Sequence, residues 1–260
     1  MWALVWIPVG GMAMRGAPMR GAVMRGDAYL ENVSMDDDGE LDFFDTGYTH
    51  NGRATFSFSV IEAADALAIE RADFLLILNK NEDVIPAVVR LSGPQAAAYF
   101  MLGETKGTSA GGAEEAGKSL RVPGTNPFFP APHGLQGNRF LELMEAHPLE
   151  VFVMNTGRVG GSDEVAESRK VRIPHSSAIV KGIAEGTIEW VRDPDFGYEV
   201  AARVPGIDEA DAEILQPRRL YERTGRGDEY RATVERLKRE RAEFLAGYAE
   251  LGRAIVDAVR

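Results

Sequence analysis

Two short runs of the chain are apolar at nearly every position. Phe74-Leu75-Leu76-Ile77-Leu78 lies inside Asp73 to Asn79, and Val151-Phe152-Val153-Met154 is the other. Such runs suit strands buried on both faces of a sheet, since a strand with one wet face alternates apolar and polar residues. A weaker pattern precedes them. Leu30 to Met35 reads as a strand, Asp36-Asp37-Asp38-Gly39 as a turn, and Leu41 to Phe44 as the returning strand of a hairpin. Helical spacing appears over Gln95 to Leu102, after a Ser92-Gly93-Pro94 start, and over Arg139 to Ala146, before Pro148. From Asp228 onward, Tyr230, Val234, Leu237, Leu245, Tyr248, Leu251, Ile255 and Val259 recur at helical spacing with charges between them. This predicts an amphipathic C-terminal helix with one stripe on the body and a plain solvated charged face. The elements together predict an α/β fold, a mixed twisted sheet with flanking helices.

Two segments fall outside that pattern. Gly103 to Pro132 is rich in Gly, Thr and Pro and reads as a long functional loop. At the start, Met1 to Val9 is apolar but too short to span a bilayer, and no basic residue precedes it as in a signal peptide. Met14-Arg15-Gly16 then recurs as Met19-Arg20-Gly21 and Met24-Arg25-Gly26, a five-residue period that matches neither helix nor strand. Residues 1–26 are therefore expected to be a disordered or artefactual tail, and residues 27–260 a single domain.

Composition narrows the chemistry. With 260 residues and 45% hydrophobic content, the chain can bury a sizeable core without staples. It has no cysteine, which excludes disulfides, thiolate metal sites and a cysteine nucleophile. A net charge of -11 argues against nucleic acid or an anionic membrane as partner, and a cytoplasmic location is expected. Gly112-Ala113-Glu114-Glu115-Ala116-Gly117-Lys118-Ser119 fits the phosphate-loop pattern letter for letter. Its context argues against it. No buried strand precedes it, Pro123 and Pro127 forbid a long helix after it, and two glutamates would sit in the anion cradle. It reads as a mobile polar loop. His50, His133, His147 and His175 lack metal-ligand spacing and read singly as surface or turn residues. No G-x-S-x-G elbow is present, and Asp36 to Asp38 lacks the spaced ligands of a calcium loop.

Cations and strand ends remain. Arg53 follows His50-Asn51-Gly52 at a loop-to-strand junction, and Asn155-Thr156-Gly157 directly follows the second buried run. Ligands collect at the carboxyl ends of strands in α/β sheets. Arg169-Lys170 and Ser176-Ser177 lie on the next loop. The residues themselves reach no further than an α/β protein that binds something anionic.

Several stretches resemble ATP-dependent phosphoenolpyruvate carboxykinases, in the C-terminal half of that family. Asp27-Ala28-Tyr29-Leu30-Glu31-Asn32-Val33 is similar to its D-A-x-L-E-N-V, and Asn51-Gly52-Arg53 to its N-T-R. Val84 to Leu91 resembles its V-L-P-P-V-x-R-L, Gly103-Glu104-Thr105 its G-x-T, and Asn155-Thr156-Gly157 its N-T-G. Pro205-Gly206-Ile207-Asp208 and Ile214-Leu215-Gln216-Pro217-Arg218, with Tyr221, resemble its closing P-G-V-D and I-L-x-P-R-x-x-Y. The resemblance runs from Asp27 to about Arg260.

It implies a C-terminal mononucleotide-binding domain and conversion of oxaloacetate and ATP to phosphoenolpyruvate, CO2 and ADP in gluconeogenesis. It also implies ATP, magnesium and manganese as cofactors. Arg53 takes the place of the arginine that reaches the phosphoryl or substrate side. Lys170 and Val171 fall where the family has an Arg-Ile pair against the base, and Ser176 where it has a threonine. Lysine at 170 keeps the charge but lacks a planar stacking surface, and Arg158 stands where many relatives have tryptophan. The family's phosphate loop and metal ligands lie upstream of D-A-x-L-E-N-V, where this chain has only the Met-Arg-Gly segment. The chain alone is therefore expected to be inactive, with a missing N-terminal half as its partner; the alternative is a non-catalytic lobe that binds nucleotide weakly or another protein.

Overall fold

The computed structural model describes residues 2–6, 28–42, 45, 47–48, 53–57, 72–107, 117–126 and 128–260. The chain divides into two units, Met1–Arg71 with Gly107–Lys118 and Ala72–Lys106 with Ser119–Arg260.

In the first unit, strands β1 (Trp2–Trp6), β2 (Ala28–Glu31) and β5 (Arg53–Ser57) form an antiparallel sheet in the order β1-β5-β2. Of the expected tail, Trp2–Trp6 is thus a strand, and residues 7–27 lie outside the described residues. The strand expected over Leu30 to Met35 is interrupted. Asn32 sits at φ 56, a left-handed conformation that ends β2 before β3 (Ser34–Met35) begins. β3 pairs antiparallel with β4 (Leu41–Asp42), so the hairpin forms around the acidic turn. Asp36 Oδ1 accepts the N–H groups of Asp38 at 3.0 Å and Glu40 at 2.8 Å, which is why an aspartate opens this turn. Phe43 and Phe44 lie outside the described residues.

The second unit is built on a five-stranded mixed sheet. Its members are β6 (Phe74–Asn79), β7 (Val88–Leu91), β10 (Glu150–Asn155), β13 (Glu189–Arg192) and β14 (Glu199–Arg203). The order is β13-β14-β7-β10-β6. The two apolar runs are neighbours: β6 and β10 pair in parallel from Phe74↔Glu150 to Asn79↔Asn155, and every other pair in this sheet is antiparallel. Val151 to Asn155 are all buried because β10 lies inside the sheet. β6 is an outer strand and is only half-buried along most of its length.

Strand alternation sorts the core into two layers. Val89, Leu91, Val151, Val153 and Val200 face one cluster. It is completed by helices α1 (Gly93–Leu102), α2 (His133–Ala146), α5 (Gly227–Ala246) and α6 (Arg253–Asp257). Val88, Phe152, Met154 and Ala201 face the other, completed by α3 (Ile173–Glu185), the 310 helix Glu209–Ile214 and α4 (Pro217–Arg223). α1 starts where Pro94 removes an N–H that the first turn leaves unpaired anyway. Gln95 Oε1 accepts from Ser92 N and Oγ, and Gly103 closes the helix at φ 51. A side chain at Gly103 would place its Cβ 1.9 Å from Val122 O, so only glycine fits beneath the next strand pair.

That pair, β8 (Glu104–Lys106) and β9 (Ser119–Arg121), is an antiparallel hairpin stem inside the segment expected to be one long loop. α2 begins at His133, six residues before the expected Arg139, because Pro132 leads directly into it. The C-terminal stripe is carried by two helices rather than one. α5 ends at Ala246, the chain turns through Gly247 and Gly252, and α6 takes up Ile255. No helix among the described residues is long and apolar enough to cross a membrane.

Candidate functional site at the carboxyl ends of the parallel strands

The parallel pair ends in two asparagines with different roles. Asn155 is wholly buried and uses all of its amide. Oδ1 accepts Asn81 N–H at 3.0 Å and Gly157 N–H at 2.9 Å; Nδ2 donates to Ile85 O at 2.9 Å and Arg158 O at 3.1 Å. The loop after β10 is further laced to the loop after β6. Thr156 N–H and Oγ1 donate to Asn79 O, Arg158 N–H to Asn81 O, Gly160 N–H to Asp83 O and Gly161 N–H to Glu82 O. Gly157 lies so close that a Cβ there would sit 2.2 Å from Asn81 O. Asn79 is also buried, and its Oδ1 has no hydrogen-bond partner among the described residues. The Asn-Thr-Gly sequence is therefore an architectural clamp that leaves Thr156 exposed at its surface.

The clamp positions the next segment. Val171 N–H donates to Gly157 O at 3.0 Å, and strand β11 (Arg158–Val159) pairs with β12 (Arg169–Lys170), opposing Arg158 to Lys170. Arg158 is occupied, with Nε and Nη2 donating to Ser168 Oγ at 3.1 and 2.6 Å. Lys170 is exposed and forms no ion pair among the described residues, so it is the cation of this strand pair open to a ligand. Val171 is buried in the core. Ser176 is half-buried in the first turn of α3, and Ile173, between them, is 72% exposed. Lys170, Val171 and Ser176 are thus brought together on one segment. Arg53 belongs to the other unit, on β5, where its backbone pairs with Trp6 and Glu31.

His175, expected at the surface or in a turn, is buried. Its Nδ1 accepts Arg172 N–H at 3.2 Å, which leaves the ring proton on Nε2, 3.2 Å from Asp211 Oδ2. Arg172 Nη2 reaches the same oxygen at 2.5 Å. Burial follows because Ile173-Pro174-His175 opens α3, and the third position of a helix turns back toward its start.

On the α5 face of the sheet lies a cleft of about 310 Å³, walled by Lys80 to Asp83, β8, β9 and α5. Apart from exposed Lys80, its charges are mutually engaged. Lys106 pairs with Glu82, and Arg236 with Asp83 and Glu240. Behind it, Arg241 is fully buried: Nε and Nη2 grip Glu104 at 2.9 and 2.7 Å, and Nη1 donates to Tyr99 OH at 2.9 Å. Its guanidinium also stacks over Tyr99 and Phe196 at 5.0 and 5.1 Å. Burial alone would raise the Glu104 carboxyl, but Arg241, with Arg121 beside it, outweighs burial and holds it below the usual carboxylate range. Tyr99 is pushed up to about 12, chiefly by burial. The charged face of the C-terminal helix is therefore not wholly solvated. The sequence does carry the signal, since position 241 falls on the stripe between Leu237 and Leu245.

The phosphate-loop lookalike fails its structural requirement. Residues 108–116 lie outside the described residues, but Lys118 is exposed and Ser119–Arg121 is a strand, where a phosphate loop opens a helix. Among the described residues, no three His, Asp or Glu side chains converge as a metal site would require.

A family description, phosphoenolpyruvate carboxykinase of the ATP type, matches residues 18–210 of the chain's 260. The chain belongs to the phosphoenolpyruvate carboxykinase (ATP) family. A carboxykinase of Aeropyrum pernix is 34% identical over 84% of this chain and 42% of its own length. That of Mesorhizobium japonicum is 31% identical over 74% and 36%, and that of Bacillus pumilus 26% identical over 88% and 43%. The chain thus spans roughly two fifths of the length of these carboxykinases. The match includes the Asn155 clamp, Lys170, Val171 and Ser176, and ends near the 310 helix.

Proposed function

We propose that this chain is the nucleotide-orienting part of an ATP-dependent carboxykinase, with the fold of the family's C-terminal mononucleotide-binding domain. The enzyme converts oxaloacetate and ATP to phosphoenolpyruvate, CO2 and ADP, a step in gluconeogenesis. The observation that carries this reading is Lys170, exposed and without an ion pair among the described residues, next to a clamp at the carboxyl ends of two parallel strands, where α/β sheets gather ligands. In this reading Lys170 and Ser176 contact the nucleotide, and buried Val171 sets the height of the segment from below. Arg53 neutralises charge on the phosphoryl or substrate side.

The divalent cations of the family find no ligand set among the described residues, so no step is assigned to a metal here. Two measurements test the reading. Calorimetric titration with ATP is expected to lose about tenfold in affinity on Lys170→Ala, the loss of one charge-assisted contact, and nothing on Lys118→Ala. A coupled assay is expected to show no phosphoenolpyruvate formation by the pure chain. Loss of binding on Lys118→Ala, or turnover by the chain alone, contradicts it.

A further inference from the structure

We propose that His175 is a positioning residue that holds the Lys170–Ser176 segment only while its imidazole is neutral. Its consequence for ligand binding rests on the nucleotide reading above; the latch itself rests on geometry. The ring sits at the third position of α3 and accepts the backbone N–H of Arg172, the residue that caps the helix. Glutamine or glutamate fills this role in a capping box. Those side chains accept through oxygen, whereas histidine accepts through a nitrogen that a proton can occupy.

The groups facing the ring make the effect one-sided. Asp211, from the 310 helix, accepts the Nε2 proton at 3.2 Å and continues to do so when the ring is charged. On the other side, protonated Nδ1 presents N–H to N–H and the Arg172 bond is lost. The Arg172 guanidinium, 3.1 Å from Nε2, opposes the charge that Asp211 favours. Glu213, the next carboxylate of the 310 helix, is held by Arg223 at 2.5 and 2.9 Å and by Arg169 at 3.8 Å, so it does not compete. The lost bond anchors the entry to α3. Lys170 and Val171 lie immediately before it, and Ser176, whose N–H donates to Arg172 O at 3.1 Å, immediately after. Acidification therefore frees the segment bearing Lys170 without disturbing the Asn155 clamp, whose bonds carry no titratable group.

Amide hydrogen exchange on the whole chain tests this between about pH 5 and 8, the range in which imidazoles change charge. Rates are corrected for intrinsic exchange. Protection of the Arg172 amide is expected to fall roughly five- to tenfold toward the acid end, the effect of one lost hydrogen bond. The Gly157 amide, held by Asn155, serves as the internal reference. His175→Gln, which accepts the same N–H through oxygen, is expected to keep the protection at every pH. Constant protection in the unaltered chain, or an identical fall in His175→Gln, overturns the proposal. ATP affinity is measured in parallel. Failure of ATP to bind at any pH removes the nucleotide reading, while exchange at Arg172 still decides the latch.

Discussion

At the scale of single residues, Arg241 and Glu104 form a desolvated ion pair in the second unit. Both charges have left water, which costs several kcal/mol per ion unless the geometry returns it. Here the pairing is bidentate, Tyr99 takes the remaining guanidinium arm, and Arg121 adds a second cation at 3.0 Å from Glu104. Arg241→Met leaves Glu104 under-compensated, and urea denaturation is expected to show a loss of about 3–5 kcal/mol. Glu104→Gln separates charge from shape. Because the folded carboxyl titrates below its unfolded value of about 4.3, the pair's contribution is fully present above that value. It disappears as pH falls through the lower folded value. The stability gap between the unaltered chain and Glu104→Gln should therefore begin to narrow once pH falls below about 4.3 and close as pH passes the lower folded value; a gap that does not narrow on acidification would place its origin elsewhere. Residue type alone did not reveal this pair, since arginine on a C-terminal helix is ordinarily solvated. Only the stripe position of Arg241 marked it.

At the scale of elements, the legible features were those fixed by local pattern. The runs of β6 and β10, the acidic turn after β3 and the proline-marked start of α1 all follow from nearest neighbours in sequence. The misread ones depend on distant contacts. The β8–β9 stem inside a Gly-rich stretch exists because Glu104 is fastened to α5, and the stripe after Asp228 splits because Gly247 and Gly252 frame a turn that helical spacing bridges by coincidence. His175 was read as a surface or turn residue because the partner of its outer ring nitrogen, Asp211, lies 36 residues further along the chain. The Asn155 clamp is the element on which the candidate site depends. Asn155→Ala removes four hydrogen bonds and leaves two buried N–H groups without that acceptor; at roughly 1 kcal/mol each, a cost of about 2–4 kcal/mol is expected by urea denaturation. A loss under 0.5 kcal/mol would mean that the loops after β6 and β10 hold together without it.

At the scale of the whole molecule, the nucleotide contacts come from the family resemblance, and the structure supplies the surroundings of the segment that would make them. The resemblance led to Lys170, Val171 and Ser176, and the structure places all three on one segment beside the clamp, with Lys170 open and Val171 buried. Missing from the sequence was why the segment sits there: Gly157 O receives Val171 N–H, an asparagine satisfies two loops, and a buried histidine closes the helix entry. Arg53, in the other unit, joins this account through the family resemblance alone. The most direct test of the central claim is an amide chemical-shift map of the chain titrated with ATP. The account predicts the largest shifts at Thr156, Gly157, Lys170 and Ser176, with Lys118 unmoved. Shifts centred on Lys118, or none at the carboxyl ends of β6 and β10, would contradict it.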